Sequence, residues 1–201
     1  MREFWDNRYS GTEYVYGTAP NAYLLAHHPL YQPGQSVLAV GDGEGRNGVW
    51  LAGRGLSVTA VDFSQQALAK AQALAQHQGV TLETVWADLA GWKWPSERYD
   101  HIISIYLHLP PTQRCQVHRA MLEALKPGGL LLMEAFHPEQ MDYHSGGPRD
   151  PGMLYNGVML REDFAGAEFM ELAELAVELD EGPGHRGRAA VTRALIRRPE
   201  V

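Results

Sequence analysis

The sequence predicts an α/β protein built on a mostly parallel sheet, and three observations carry that expectation. Short apolar runs bounded by turn residues alternate with segments of helical periodicity, the pattern of right-handed βαβ units. The first such run opens into glycines at every second position, Gly41, Gly43 and Gly45, as a strand-to-helix turn does. The chain has 201 residues, 45% hydrophobic and 20% charged. That suits one domain over 1–201 whose core needs neither disulfides nor metal.

Each element has its own signal. Residues 1–30 read as an aromatic arm and a helix: Phe4, Trp5, Tyr9, Tyr14 and Tyr16 lack clear periodicity and suggest packing over a body or a ligand. Asn21 then caps a short helix that ends at His28, before Pro29. Ser36–Val40 is a buried strand, Glu44–Arg54 a helix and Ser57–Val61 a second buried strand. Ser64 caps a helix to about Gln78, with Ala67, Leu68, Ala71 and Leu74 at helical spacing and Gly79 at its end. Val80–Trp86 and Tyr99–Tyr106 are the third and fourth strands, and Thr112–Leu125 is an amphipathic helix. A Lys126-Pro127-Gly128-Gly129 turn leads into a fifth strand, Leu130–Phe136.

Residues 137–158 break the rhythm with repeated Gly and Pro, and so long a loop is expected to be a substrate or lid loop. Leu160–Gly166 reads as a short helix. Phe169–Leu179 carries glutamates at helical spacing, yet the Glu181-Gly182-Pro183-Gly184 turn and the strand-like Ala189–Ile196 after it make an antiparallel hairpin the better reading.

Charge and composition exclude several functions. With 24 acidic and 17 basic residues the net charge is −7, which argues against nonspecific nucleic-acid or anionic-membrane binding. Cys115 is the only cysteine, so one chain forms no disulfide and no cysteine zinc site. No apolar run reaches the roughly 18 residues of a membrane span. Met1–Asp6 does not read as a secretory signal, and a cytoplasmic protein, monomeric or homodimeric, is expected.

The chemistry concentrates at strand ends. The Gly41–Asn47 loop lets a ligand lie on bare backbone, and the amides where the helix starts favour a carboxylate or phosphate. Asp62 ends the second strand, where a carboxylate can accept both hydroxyls of a ribose. Asp88 ends the third, able to meet an adenine amino group. One such acid alone is commonly a solvated strand end; three consecutive ends of this kind are hard to assign to chance.

This ordered set, with Ala87-Asp88-Leu89, Tyr99-Asp100 and Leu125-Lys126-Pro127-Gly128-Gly129, resembles the class I S-adenosylmethionine-dependent methyltransferases. Phe4-Trp5-Asp6-Asn7-Arg8-Tyr9, Tyr16–Asn21, His108-Leu109-Pro110-Pro111 and Glu181–Gly187 are similar to small bacterial members related to the tellurite-resistance and thiopurine enzymes. The resemblance covers nearly the whole chain. It implies a Rossmann-like seven-stranded sheet of order 3-2-1-4-5-7-6, last strand antiparallel, with helices on both faces. It also implies S-adenosyl-L-methionine as cofactor, S-adenosyl-L-homocysteine as product and a small-molecule methyl acceptor.

By position, the resemblance sets Gly41, Gly43 and Gly45, with Arg46 and Asn47, against the methionine and ribose parts of the cofactor. Asp62 takes the ribose hydroxyls, Phe63 lies along the adenine, and Ala87, Asp88 and Leu89 meet its edge. Tyr106 lies near the reactive methyl, and Trp5 and Tyr9 close over the cofactor. Many relatives carry an acid where this chain has Ala39 and a small residue where it has Asp42, leaving Asp42 as the candidate for the methionine amino end. No metal is implied. If a general base exists, the candidates are Tyr106, His108, His137, His144 and His185, the first, second and last in the better positions. Two rival readings remain: a cofactor-binding protein of the same fold without activity, and an NAD(P)-dependent oxidoreductase. The latter would want G-x-G-x-x-G and has no role for Asp88 or the Lys-Pro-Gly-Gly turn.

Overall fold

The computed structural model describes residues 2–200. Five parallel strands form in chain order: β1 (Ser36–Val40), β2 (Ser57–Asp62), β3 (Glu83–Trp86), β4 (Tyr99–Ile105) and β5 (Leu125–Phe136). The hairpin β6 (Glu168–Asp180) and β7 (Arg186–Arg197) completes a seven-stranded sheet of order β3-β2-β1-β4-β5-β7-β6. β7 runs antiparallel to both neighbours. The order and the closing hairpin are those the sequence implied.

Alternate residues of each central strand face opposite layers, as the pleat requires. Val37 and Ala39 pack with α2 (Ala22–Ala26), α3 (Arg46–Ala52) and α4 (Gln65–His77) on one face. Leu38 and Val40 pack with α5 (Pro111–Ala124) and α6 (Gly157–Asp163) on the other. Ser64 caps α4 through a 3.2 Å bond from Ala67 N to its hydroxyl, a contribution of about 1 kcal/mol.

The structure revises several boundaries. The arm begins with α1 (Arg2–Tyr9), not an irregular segment; its apolar positions are aromatic rings stacked on one another, which blurs a core-facing stripe. β3 starts at Glu83 rather than Val80. Lys126–Gly129 is no free turn but the irregular opening of β5, where the register jumps from Tyr99↔Leu125 to His101↔Leu130. A Cβ on Gly129 would come within 2.8 Å of the Lys126 carbonyl oxygen, so the bend tolerates only glycine there. The last short helix starts at Gly157, capped by the Asn156 side chain on Met159 N, earlier than Leu160.

Residues 137–158 are tied down at their base. Gln140, buried, donates to Ser145 Oγ and to the Gly146 carbonyl at 3.0 Å each and accepts from Ala190 N at 2.9 Å. Tyr155 N donates to the Phe136 carbonyl at 2.9 Å, and the Tyr155 hydroxyl accepts from Leu109 N at 2.7 Å. His118 and Arg114 both bind Asp163, at 2.8 and 2.6 Å, clamping α5 to α6. No helix among the described residues is long and apolar enough to cross a membrane.

Candidate active site

The C-terminal ends of β1, β2, β3 and β4 open on one cavity of about 710 Å³. This is where open α/β sheets take their ligands, and its size is that of a small-molecule site. Gly41, Asp42, Gly43, Arg46 and Asn47 line it from the glycine loop. Asp62, Phe63, Ala87, Asp88 and Leu89 line it from the next two strand ends. Tyr106, His108 and His185 close the far side, and Trp5 and Tyr9 lie over the top. The structure thus brings together every sequence-predicted binding residue except Gly45.

The three glycines divide their work. A Cβ on Gly45 (φ +86°) would sit 2.6 Å from the Ala71 Cβ, so this glycine lets α3 pack on α4 rather than touching a ligand. A Cβ on Gly41 would press on the Leu107 side chain at 2.9 Å. Only Gly43 (φ +58°) faces the arm, where a Cβ would meet the Tyr9 hydroxyl at 3.1 Å.

Asp62 is buried, and its two oxygens accept from Gly43 N at 3.0 Å and Ser64 N at 2.9 Å. These bonds fix the carboxylate against the glycine loop, and a carboxylate retains further lone pairs for a ligand's hydroxyls. Burial raises its pKa, with the backbone amides opposing. Asp88 stands exposed at the rim, one oxygen accepting from Ala90 N at 3.1 Å.

Asp42 lines the cavity but is not the free carboxylate that the amino-end reading assumed. Both its oxygens turn to Gly48 N in α3, at 3.3 and 3.2 Å. Burial raises its pKa from 3.8 to about 7, the Gly48 amide opposing. Its native pKa lies above its unfolded one, so its contribution to stability is full below about pH 4 and is lost as pH rises through about 7. Asp42→Asn should therefore match the wild type in melting temperature near pH 4 and exceed it near about pH 8. Equal melting curves at both pH values would contradict this placement of the charge.

His108 is also corrected. Its Nδ1 lies 2.7 Å from the Met153 carbonyl of the loop and its Nε2 accepts from Phe136 N of β5 at 3.3 Å, so both nitrogens are engaged and neither is free for proton transfer. Burial pushes its pKa down to about 4. His185 differs: its buried Nδ1 has no partner. Burial, then the charge of Arg46, pushes its pKa down to about 3, which makes it a neutral hydrogen-bonding group at neutral pH. Its ring lies 4.4 Å from those of both Tyr16 and Tyr106. Tyr106, at the end of β4, has φ +54°, a strained conformation for a tyrosine, and stacks on Phe136 at 4.7 Å. Burial first, then the charge of Glu134, raises its pKa far above the usual value, so its phenol stays protonated.

Sequence reasoning missed Arg8, Phe136 and Met153 as cavity walls, and gave Tyr16 no site role. The roof is anchored from below. Glu44, 4% exposed, accepts from Val15 N at 2.8 Å and pairs with Lys70. Lys70 in turn donates to the Glu13 carbonyl at 2.6 Å. Asp6 accepts from Ser64 Oγ at 2.6 Å, and Trp5 stacks on Tyr9 at 5.5 Å. The only signal for this in the sequence is the density of rings before Pro20.

The architecture is that of the Rossmann-like methyltransferases. Residues 37–129, from β1 into the opening of β5, match the family model of a methyltransferase domain. A protein of Geobacillus sp. (strain WCH70), named as a methyltransferase, is 34% identical over 116 residues, 56% of this chain and 47% of its own length. The chain thus spans about half the length of that curated relative. Among solved structures, one described for the conversion of a disulfide bond into a thioacetal group during echinomycin biosynthesis superposes with TM-score 0.80. Identity there is 21%, over 100% of this chain and 92% of the other. TehB from Haemophilus influenzae gives 0.73 at 23% identity, over 98% and 66% of the two chains. The N-methyltransferase NodS from Bradyrhizobium japonicum WM9, in complex with S-adenosyl-L-homocysteine, gives 0.73 at 15%, over 99% and 98%. The resemblance to class I methyltransferases read from the sequence is borne out by the matched domain and by the fold.

Proposed function

We propose that this chain is an S-adenosyl-L-methionine-dependent methyltransferase acting on a small-molecule acceptor, with S-adenosyl-L-homocysteine as product. The observation that carries the reading is the convergence of the Gly43 backbone, Asp62 and Asp88 on one aromatic-roofed cavity. The residues present fit such a cofactor. Asp62 supplies fixed lone pairs for a ribose, Phe63 and Leu89 an apolar slot for adenine, and Arg46 a buried nitrogen, Nη1, without a partner. In this reading the chain is one domain, with 1–30 and 137–158 covering the site.

The bound cofactor supplies an electrophilic methyl on a sulfonium. The protein's part is to align, to exclude water and to favour positive charge. Trp5, Tyr9 and Tyr106 line the cavity with aromatic rings, an environment that suits a cation. Holding two reactants in line supplies on the order of 7–11 kcal/mol of the barrier. Tyr106, protonated, and His185, neutral, are hydrogen-bonding groups for the acceptor, and neither is disposed to act as a strong base at neutral pH.

The test is a mass-spectrometric screen of small acceptors with S-adenosylmethionine, reading both product and S-adenosylhomocysteine. Release of S-adenosylhomocysteine in proportion to a methylated acceptor is the expected result. Tight cofactor binding without turnover across a broad acceptor set would favour a cofactor-binding protein of the same fold.

A further inference from the structure

The hairpin turn between β6 and β7 is joined to the glycine-loop helix by a buried ion pair. Glu181 Oε2 accepts from Arg46 Nη2 at 2.6 Å, with the two side chains 9% and 8% exposed. The other Glu181 oxygen accepts from Ala22 N and from Asn21 Nδ2, both at 2.9 Å. Asn21 closes the circle, its backbone N donating to Asn47 Oδ1 at 2.9 Å and its Nδ2 to Glu134 Oε2 at 2.6 Å. One carboxylate thus ties together the hairpin turn, the N-terminal arm and α3.

Close approach of the turn to the arm depends on two glycines. A Cβ on Gly182 would lie 2.4 Å from the Tyr16 carbonyl carbon, and one on Gly184 would lie 2.5 Å from the Tyr16 ring. The same turn carries His185, whose backbone N donates to the Gly182 carbonyl at 3.2 Å. Arg46 lines the cavity, and its Nη1 remains buried without a partner. An unsatisfied charged donor is costly, and this one gains its missing bond if a ligand's anionic group arrives there.

We propose that Glu181 is a positioning residue. By holding Nη2 it fixes the plane of the Arg46 guanidinium, so that Nη1 receives the carboxylate at the amino-acid end of the cofactor. The inference rests on the methyltransferase reading above. The physical gain is pre-organisation: a rigid fork set before binding loses less rotamer entropy than a free arginine. Because the turn that holds Arg46 also presents His185, the cofactor and acceptor halves of the cavity are built as one unit.

The test compares two ligands by calorimetry. S-Adenosylhomocysteine carries the amino-acid carboxylate, whereas 5′-methylthioadenosine keeps the adenosine and sulfur and lacks it. Glu181→Gln keeps the side-chain shape and can still accept from Ala22 N. It should weaken S-adenosylhomocysteine by about tenfold and leave methylthioadenosine within about twofold. In Arg46→Met the same selective loss is expected, and the double variant should be no weaker than Arg46→Met alone. If Glu181→Gln does not fold, Arg46→Lys keeps the charge without the fork and should show the same selectivity. Equal losses for both ligands would reduce Glu181 to a packing role, and additive losses in the double variant would show that it does not act through Arg46. Unchanged S-adenosylhomocysteine affinity in Glu181→Gln overturns the positioning alone. A wild type that binds neither ligand overturns the cofactor reading and this proposal with it.

Discussion

Asp62→Ala is expected to weaken S-adenosylhomocysteine binding by well over tenfold, the loss of charge-assisted hydrogen bonds to a ribose. The carboxylate is fixed before any ligand arrives, by Gly43 N on one oxygen and Ser64 N on the other. Its removal therefore takes away ligand bonds and also loosens the glycine loop. Stability should fall too, since two amides lose their partner. Asp62→Asn separates the effects, because its amide oxygen still serves one backbone amide while the charge is gone. A calorimetric titration of both variants, with circular dichroism to verify the fold, checks this. Wild-type affinity in a folded Asp62→Ala protein would remove Asp62 from the site.

Gly45→Ala is expected to act on stability instead. A left-handed φ of +86° costs an alanine about 1–2 kcal/mol. The new Cβ would also lie 2.6 Å from the Ala71 Cβ and 2.9 Å from its Cα, and such overpacking costs about 1–3 kcal/mol. Together these should lower the melting temperature by roughly 5–15 °C for a chain of this size. Ala71→Gly in the same chain removes the Cβ contact but leaves the approach to the Cα and the strain, so the double variant should recover part of the loss. Affinity for S-adenosylhomocysteine in the folded Gly45→Ala protein should change far less than in Asp62→Ala. A stable Gly45→Ala protein that has lost the ligand would return Gly45 to the cofactor surface.

The contrast between Asp62 and Gly45 shows what the sequence carried. The strands and their ends were legible because buried parallel strands read as apolar runs, and each end is marked by a residue out of place there: a glycine, Asp62, Asp88; the strand order came only with the resemblance to a known family. The hairpin was legible from its turn, although its glutamates at helical spacing pointed the other way; β6 is an edge strand, where Glu178 is exposed while Glu171 pairs with His27 and Glu174 accepts from Gly157 N. Roles within the site were less legible. Gly45, Asp42 and His108 each sit in the right stretch, yet their partners are Ala71, Gly48, and Met153 with Phe136. Gly48 lies only six positions beyond Asp42, but spacing alone does not say which way a loop carboxylate turns. For Gly45 and His108 these partners are set by packing between elements distant in the chain, on which local pattern is silent. The same holds for Arg46 with Glu181, separated by 135 positions. The aromatic arm was recognised by composition but not as α1, because rings that stack on one another and roof a cavity leave no apolar stripe against the core.

The proposed site for S-adenosylmethionine is formed at the ends of β1, β2 and β3. Isothermal titration of the purified protein with S-adenosylhomocysteine, with NAD in parallel, tests it most directly. Micromolar binding of the first and none of the second is expected. A folded protein that binds NAD, or that fails to bind S-adenosylhomocysteine, would contradict it.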